Sequence, residues 1–514
     1  MSSCTLHFVY CRIVLIFFWF LCSCNETSTK TNRAENVVKD KVSTISKSAD
    51  FLKIEPLESG LKRDRIKLGH TINTAANEYL PVLNADGSKL YFSAMDRTGF
   101  FDFKLDFTKE KSAGGEDVYY SDLNEGVWMD ALPVKEINTN GHEVVSQVLK
   151  NNDLLVTANY PEKYGVKVNM DAGVQTTDIF LLRKTNEGYQ INHLPEPVNS
   201  IFTEADGLMA EDQSFILFVS DRNGNIGEYH KKGWKWNGSF WGNTDVYVSL
   251  KEGDYWGNPI NLGSKINTQN AERTPWLSED GLTLYLSSNG YEKNKIDLDV
   301  YAFKRKNRNN WKTWDGPYSI IDANTSNDDW GYKEYSDGEA YVASSRKLGY
   351  KPTQGGAGGD GGIRQTNYRP GYELVGLQIS SLNSEYETNI FYLRHKNKPT
   401  FSVRDVFFEF NSYKLNPNFD KYLALMVDQI TQNKSMKIEI RGHTDNTGRQ
   451  DYNYNLSNKR ARVLKDYLIA HGVENEIKTF GLGDSEPLFP NNSREGRQGN
   501  RRVEIFLLTN DTIQ

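Results

Sequence analysis

Two side chains of opposite charge, Asp445 and Arg460, are the best candidates for chemistry in this chain of 514 residues. Asp445 follows an alternating apolar and polar run, and Arg460 comes fifteen residues later, after a polar loop and in the first turns of a predicted helix. A short connection of this kind can fold a carboxylate and a guanidinium onto a common rim with a gap between them. The gap suits a zwitterion, because the carboxylate binds an ammonium and the planar guanidinium binds a carboxylate in bidentate fashion.

The elements that must position these groups form a predicted α+β unit at the end of the chain. The first helix begins near Pro417 and runs to about Asn433, and the second carries its apolar positions on one face from Leu456 onward. Strands are predicted at Val406–Phe410, Lys437–Arg441, Ile477–Phe480 and Arg502–Leu508. The predicted order is therefore β-α-β-α-β-β, with helices packed on one sheet.

A longer pattern surrounds the charged pair. It consists of Gly442, His443, Thr444 and Asp445, followed by Asn453, Leu456, Ser457, Arg460 and Ala461. This pattern resembles the peptidoglycan-binding domain of the OmpA family, which also occurs in the lipoprotein Pal. Leu464 stands where the family pattern has Val, an apolar exchange on a helix face. The resemblance covers roughly residues 400–510 and implies an OmpA-like domain at 399–514.

The resemblance implies a role for each residue of the site. Asp445 corresponds to the carboxylate that binds the free ammonium of diaminopimelate in the peptidoglycan stem peptide, and Arg460 to the residue that binds its carboxylate. The positions that line the pocket or its edge are Asn411, Thr444, Asn453 and Arg501. The alternative is a direct Asp445–Arg460 salt bridge that only holds the loop to the helix, although an exposed bridge would add little stability.

The amino-terminal end carries the features of an export signal. A ten-residue apolar run, Ile13–Cys22, is too short to span a bilayer as a helix and suits a signal peptide. The run ends in Leu21-Cys22-Ser23-Cys24, which resembles a lipobox. Residues 1–23 would then be a signal peptide and Cys24 the lipidated first residue of an outer-membrane lipoprotein facing the periplasm. Several acyl chains on Cys24 would anchor the protein stably in the membrane. The alternative is an ordinary cleaved signal. Residues 24–50 are polar and predicted to be a flexible tether.

Charge and residue spacing limit the other functions. Removing residues 1–23 takes away only Arg12 among the charged side chains and leaves a net charge of −7, which argues against a nucleic-acid partner. All four cysteines lie within the first 24 residues, so no disulfide framework is predicted for the folded body. The histidines are scattered, and the segment from Asp221 departs from a calcium loop at Ile226 and Lys232. No metal or other cofactor is predicted.

Residues 72–346 contain an internal repeat with a period near sixty. The clearest copy joins Ile266-Asn267-Thr268, Glu272, Asp280-Gly281, Leu284–Ser288 and Asp299-Val300-Tyr301. Asp-Gly between two apolar runs indicates a tight hairpin, because the turn needs positive φ. Several strands in each repeat, without a helical period between them, predict blades of antiparallel sheet. The tryptophans at 128, 256, 311 and 314 occupy matching positions, which favours packing between blades over a ligand groove.

These repeats resemble the periplasmic β-propeller repeats related to those of TolB, and they imply a propeller over residues 51–398. Five blades are predicted and six are the alternative. Residues 372–395 either complete the last blade or form part of a sixth with the segment near Phe51–Leu68. The combined prediction is a noncatalytic lipoprotein that links the outer membrane to the cell wall and offers its propeller to an envelope protein partner. The alternative is a tethered propeller hydrolase that acts on peptide or glycan.

Overall fold

Strands, mostly in antiparallel sheets, make up most of the regular secondary structure that the computed structural model describes. The structure describes residues 54–57, 63–74, 76–95, 116–124, 127–139, 142–159, 168–169, 174–175, 177–226, 234–236, 239–241, 244–292, 297–347, 386–395, 398–404, 408 and 412–509. All of them belong to one unit, Phe51–Gln514. The predicted signal peptide, Cys24 and the tether lie outside the described residues.

Two short strands come before sheet 1 in the chain. They are β1 (Glu55–Pro56) and β2 (Arg63–Lys67). Sheet 1 consists of β3 (Asn77–Leu83), β4 (Lys89–Met95), β5 (Glu116–Asn124), β6 (Val127–Trp128) and β7 (Leu132–Pro133). Sheet 2 contains β8 (Glu143–Val148) and β9 (Leu154–Ala158); β10 (Val168–Asn169) and β11 (Val174–Gln175) form a separate hairpin, and β12 (Asp178–Thr185) and β13 (Gly188–His193) complete the sheet.

Sheets 3 and 4 repeat the same up-and-down order. Sheet 3 contains β14 (Glu204–Met209) and β15 (Phe215–Ser220); a small hairpin of β16 (Trp234–Trp236) and β17 (Ser239–Trp241) intervenes before β18 (Asp245–Glu252), β19 (Tyr255–Trp256) and β20 (Ile260–Asn261). Sheet 4 contains β21 (Glu272–Leu277), β22 (Thr283–Ser288), β23 (Asp299–Lys304) and β24 (Asp315–Ser319), and β1 pairs in parallel with β24.

Sheet 5 combines the two ends of the repeat region. It consists of β25 (Asp329–Glu334), β26 (Ala340–Lys347), β27 (Tyr386–His395) and β2, in the order β2-β27-β26-β25. The described part of the predicted strand material, Tyr386–His395, belongs to this last sheet, and Arg63–Lys67 pairs with it in the same sheet.

The first strands of the five sheets contact one another in sequence. β3 contacts β8, β8 contacts β14, β14 contacts β21, β21 contacts β25, and β25 also contacts β3. The register of each of these strands shifts once, in a β-bulge. Gly331 lies in the bulge of β25 at φ 65°, and a Cβ there would lie 2.9 Å from Leu80 Cδ2 in β3. The last sheet and the first therefore meet closely, and glycine permits the approach.

An asparagine connects each sheet to the next one. Asn267 accepts a hydrogen bond from the Val246 amide (2.8 Å) and donates one to the Val246 carbonyl (3.1 Å). The same two bonds join Asn73 with Ile390, Asn138 with Val118, Asn199 with Ile179, and Asn324 with Val300. We call this contact, in which one side-chain amide binds both backbone groups of a strand residue, the asparagine bridge. Each bridge ties the third strand of one sheet to the segment that leads into the following sheet.

A buried carboxylate follows each asparagine bridge. Glu272 accepts hydrogen bonds from the Thr268 amide (2.9 Å), the Thr268 hydroxyl (2.7 Å) and the Ser288 hydroxyl (2.9 Å). The equivalent carboxylates, all fully buried, are Glu78, Glu143, Glu204 and Asp329. Burial raises the pKa of Glu272 to about 8 and that of Glu143 and Glu204 to about 7, since a low-dielectric interior disfavours the charged form.

The four tryptophans singled out from the repeats pack in the interior. Trp128, Trp256, Trp311 and Trp314 are each between 5 and 7 % exposed and belong to apolar clusters of the sheets. Their burial supports the packing interpretation, and the ligand-groove alternative is wrong for these side chains.

The C-terminal domain is an α/β layer of four strands and three helices. The strands are β28 (Phe401–Arg404), β29 (Lys437–His443), β30 (Ile477–Gly483) and β31 (Arg502–Leu508), in the order β28-β31-β29-β30, with β29 and β30 parallel. After a short 3-10 helix (Pro417–Phe419), the helices are α1 (Asp420–Thr431), α2 (Gln450–Ala470) and α3 (Arg494–Asn500).

Two features of this domain differ from the predicted β-α-β-α-β-β order. The described first strand is β28, whereas most of the predicted Val406–Phe410 strand lies outside the described residues. A third helix, α3, stands where a loop was predicted. None of its seven residues has an apolar side chain, so the sequence shows no apolar helical periodicity there. Ser493 caps the helix by accepting a hydrogen bond from the Gly496 amide (2.9 Å). Among the described helices, none combines the length and apolarity that a membrane crossing requires.

We expect Glu272→Gln to flatten the pH dependence of stability in the five sheets. The folded pKa of Glu272 lies above its ordinary value of 4.5, so its contribution is complete below pH 4.5 and is lost as the pH rises through about 8. The midpoint of unfolding, measured by tryptophan fluorescence, should therefore fall less steeply over this range in the variant. All tryptophans beyond residue 23 lie between residues 128 and 330, so this signal follows the sheets. The exposed Glu279→Gln is the control, and identical profiles for Glu272→Gln and the wild type would contradict the assignment.

Candidate functional site

The loop that carries Asp445 is held between β29, β30 and α2. A Cβ at Gly442 would lie 2.2 Å from the Ser457 carbonyl oxygen, so only glycine allows α2 to approach β29 this closely. The Ser457 hydroxyl accepts a hydrogen bond from the Gly483 amide (3.0 Å), and the Thr444 amide donates to the Gly483 carbonyl (2.8 Å). The Gly-His-Thr-Asp sequence is thus fixed by its backbone against both the helix and the neighbouring strand.

Asp445 is almost buried and is held by two donors. Its Oδ2 accepts a hydrogen bond from Arg501 Nη1 (2.7 Å), and its Oδ1 accepts one from the Thr447 amide (2.8 Å). The side chain is 10 % exposed. Burial by itself would raise the pKa of Asp445, but the Arg501 guanidinium and the Thr447 amide outweigh it and lower the pKa below its ordinary value. The carboxylate is therefore negatively charged at neutral pH.

Helix α2 presents polar side chains to the interior along its first half. Asn453, Ser457 and Arg460 are all buried and recur at helical spacing. Asn453 Nδ2 donates to the Asp445 carbonyl (3.2 Å) and so joins the helix to the loop. Arg460 Nε donates to the Ser412 carbonyl (3.2 Å), and its guanidinium carbon lies 5.0 Å from the centre of the Phe408 ring.

The structure therefore brings together most of the predicted site. Asp445, Thr444, Asn453 and Arg501 surround one loop, whereas Arg460 reaches toward the segment around Ser412. No ion pair between Asp445 and Arg460 occurs in the described part of the chain, so the predicted alternative of a direct salt bridge is not what this structure contains. Asn411 lies outside the described residues, and the ligand contacts assigned to all six residues stay predictions.

The contact of Arg501 with Asp445 was not predicted. Arg501 was expected near the edge of the site, and the sequence contains no local signal for a direct ion pair. The pairing of Gly442 with Val503 in neighbouring strands brings the start of β31 beside the loop after β29. Register between strands so distant in sequence depends on the tertiary fold.

A second ionic group supports the same strand ends. His443 Nε2 lies 3.3 Å from Glu504 Oε2, and Arg502 Nε donates to Glu504 Oε1 at 2.8 Å. Burial would raise the pKa of Glu504, but the His443 imidazole and the Arg502 guanidinium lower it to about 2. This group, which the sequence analysis also missed, ties β29 to β31 at His443, the residue before Thr444.

Comparison with known proteins assigns this domain to a family. Residues 407–501 match the model of the OmpA family. The chain is 42 % identical over 86 residues to the peptidoglycan-binding protein ArfA of Mycobacterium tuberculosis, a match that covers 16 % of this chain and 26 % of ArfA. It is 36 % identical over 102 residues to the peptidoglycan-associated lipoprotein of Buchnera aphidicola, covering 20 % of this chain and 59 % of that protein.

The solved structure of the peptidoglycan-associated lipoprotein from Burkholderia pseudomallei aligns with 21 % of this chain and 89 % of its own, at 26 % identity and a TM-score of 0.19. The chain thus spans about a quarter to three fifths of the length of the two curated relatives. The C-terminal domain is an OmpA-family domain, and the match to the family does not extend to the five sheets.

We expect Glu504→Gln to destabilise the C-terminal domain and to remove part of its acid sensitivity. The folded pKa of Glu504 is depressed, so its contribution is complete above pH 4.5 and is lost as the pH falls toward about 2. At pH 6 the loss should be roughly 1–3 kcal/mol, because charged hydrogen bonds are broken. Circular dichroism at 222 nm measures it, since the described helices lie within residues 417–500. Glu474→Gln, whose side chain is 79 % exposed, is the control. An unfolding midpoint equal to that of the wild type at pH 6 would refute the role of Glu504.

Proposed function

We propose that this protein binds peptidoglycan noncovalently through its OmpA-family domain, with diaminopimelate of the stem peptide as the recognised group. The observation that carries the proposal is Asp445, an ionised carboxylate held in place by Arg501 and Thr447 beside the polar face of α2. Support comes from the relatives, since ArfA is named for peptidoglycan binding and the Buchnera protein for peptidoglycan association.

The proposed roles are those that the resemblance to the OmpA family implies, and the charges of the side chains support them. Asp445 receives the ammonium group of diaminopimelate, and Arg460 receives the carboxylate at the same end of that residue. Thr444, Asn453 and Asn411 line the pocket. Arg501 keeps Asp445 ionised and faces solvent with a third of its side chain, so it can also meet an acidic group of the stem peptide. The role is binding and not catalysis.

Sedimentation with purified sacculi tests this site. We expect Asp445→Ala and Arg460→Ala each to weaken binding by about tenfold or more, because a charge-assisted hydrogen bond contributes roughly 1.5–3 kcal/mol. Asp451→Ala and Arg449→Ala are matched controls, since these two exposed side chains of the same helix end pair with each other. Binding by both site variants at the wild-type level would end the assignment.

Soluble stem peptides serve as a chemical control in the same assay. A peptide containing meso-diaminopimelate should compete with sacculi for the protein. A peptide with lysine at that position keeps the ammonium but lacks the terminal carboxylate, and it should compete far more weakly. Equal competition by the two peptides would show that Arg460 does not bind the terminal carboxylate of diaminopimelate.

We also propose that the five sheets are the blades of a five-bladed, TolB-like propeller that docks an envelope protein. Support comes from the contact sequence of the first strands, in which β25 also contacts β3, and from the asparagine bridge between Asn73 and Ile390 that joins sheet 5 to sheet 1. The protein would thereby connect an envelope complex to the cell wall. Its proposed location is the periplasmic face of the outer membrane, with Cys24 carrying the lipid.

Crosslinking in intact cells, followed by fractionation, tests the anchor and the docking role together. We expect the wild-type protein in the membrane fraction, crosslinked to a protein partner, and Cys24→Ser in the soluble periplasmic fraction. Membrane retention of Cys24→Ser would contradict the lipid anchor. Recovery of peptidoglycan fragments alone, without a protein partner, would contradict the docking role.

A further inference from the structure

Strand β2 has two neighbours of different kinds. Along one edge it pairs with β27, from Arg63 opposite His395 to Lys67 opposite Phe391, and so forms the outer strand of sheet 5. β2 also contacts β31 of the C-terminal domain. Two of its residues, Asp64 and Ile66, are fully buried although β2 is the outermost strand of its sheet. The C-terminal domain therefore covers an edge that would otherwise face solvent.

A buried ionic contact joins β2 to the end of β31. Asp64 Oδ2 lies 3.2 Å from Arg394 Nη2, and both side chains are fully buried. Asp64 Oδ1 accepts a hydrogen bond from the Thr509 hydroxyl (2.7 Å), and Arg394 Nη2 donates to the Leu507 carbonyl (2.8 Å). A charge left without its partner in this interior would be costly. The contact therefore favours one position of the C-terminal domain against β2.

An asparagine bridge forms the other end of the interface. Asn433, just after α1, accepts a hydrogen bond from the Lys67 amide (2.8 Å) and donates one to the Lys67 carbonyl (2.9 Å). Next to it, Asp428 accepts from the His70 amide (2.5 Å). A Cβ at Gly69 would lie 2.6 Å from Asp428 Oδ2, so a larger residue there would displace the Asp428 carboxylate.

Apolar contacts fill the space between these polar ends. Ile66 of β2 and Val127 of sheet 1 belong to the same buried cluster as Leu423, Met426 and Ile430 of α1. At the periphery, Asn124 donates to the Tyr422 hydroxyl (2.9 Å), and Lys421 pairs with Asp130 at 3.1 Å. The core of the C-terminal domain thus extends onto the sheets without a solvent layer at these residues.

We propose that β2 is a coupling strand, an interaction surface on which the C-terminal domain is permanently seated and which depends on that seating for its own order. The peptidoglycan-binding domain and sheet 5 then behave as one body, and loosening the domain loosens the outer edge of the sheet. This inference goes beyond the proposed function, because it requires no ligand and would hold for any role of Asp445.

Hydrogen exchange of the full-length mature chain tests the coupling. In Asn433→Ala, which removes both bonds to Lys67, we expect the amides of Arg63–Lys67 and Phe391–His395 to exchange about tenfold faster or more. Asn475→Ala is the matched control. Asn475 supports the same turn by donating to the Asn433 carbonyl (3.0 Å), and none of its described hydrogen bonds is to β2. In that variant, exchange in both strands should stay as in the wild type.

A second variant tests whether the effect of Asn433→Ala is only a local defect in the turn after α1. Thr509→Val keeps the shape of the side chain, removes the hydroxyl bond to Asp64 and leaves α1 untouched, so it should accelerate the same two strands. Protection of β2 and β27 at the wild-type level in both variants would overturn the proposal. Binding to sacculi should persist in both variants, and for this reason a failure of the ligand assignment at Asp445 can be told apart from a failure of the coupling.

Discussion

The asparagine bridge is the interaction on which this structure depends most widely. A side-chain amide carries one acceptor and two donors, so it can satisfy both backbone groups of a strand residue that would otherwise lack a partner. The contact occurs at each of the five junctions between sheets and recurs between Asn433 and Lys67, where the C-terminal domain meets β2. Because a buried unsatisfied backbone group is expensive, each bridge favours one arrangement of neighbouring elements.

In the OmpA-family domain, two buried carboxylates are held in the charged form. Asp445 and Glu504 lie in the same corner of the sheet, and each is kept ionised by an adjacent cation although burial opposes the charged form. At Glu272 burial outweighs the hydrogen bonds from Thr268 and Ser288, and the pKa is raised instead. Glu272 thus contributes less to stability as the pH rises, and Glu504 contributes less as the pH falls.

Much of the fold could be predicted from local sequence, and the exceptions have physical causes. The Asp280-Gly281 turn and the Leu284–Ser288 run predicted β21–β22 pairing, since turn chemistry and alternation act over a few residues. Val198-Asn199-Ser200 and Ala323-Asn324-Thr325 escaped notice because the apolar residue of the motif varies, although both asparagines form the bridge. The sequence predicted where the site loop and α2 lie. The contact of Arg501 with Asp445 and the role of β2 were not predicted, because both depend on register between strands that are distant in sequence.

The position of β2 bears on how the molecule would carry tension. The strand lies close to the start of the described chain and contacts both the last sheet and the domain that contains Asp445. If the amino terminus is held at a membrane and Asp445 holds the wall, the pull first reaches β1, which pairs with β24 of sheet 4, and then β2, which contacts the C-terminal domain. Sheets 4 and 5 would then bear the load at their outer strands, β1 and β2, and a partner seated away from these two edges would be the least disturbed when the envelope is stretched.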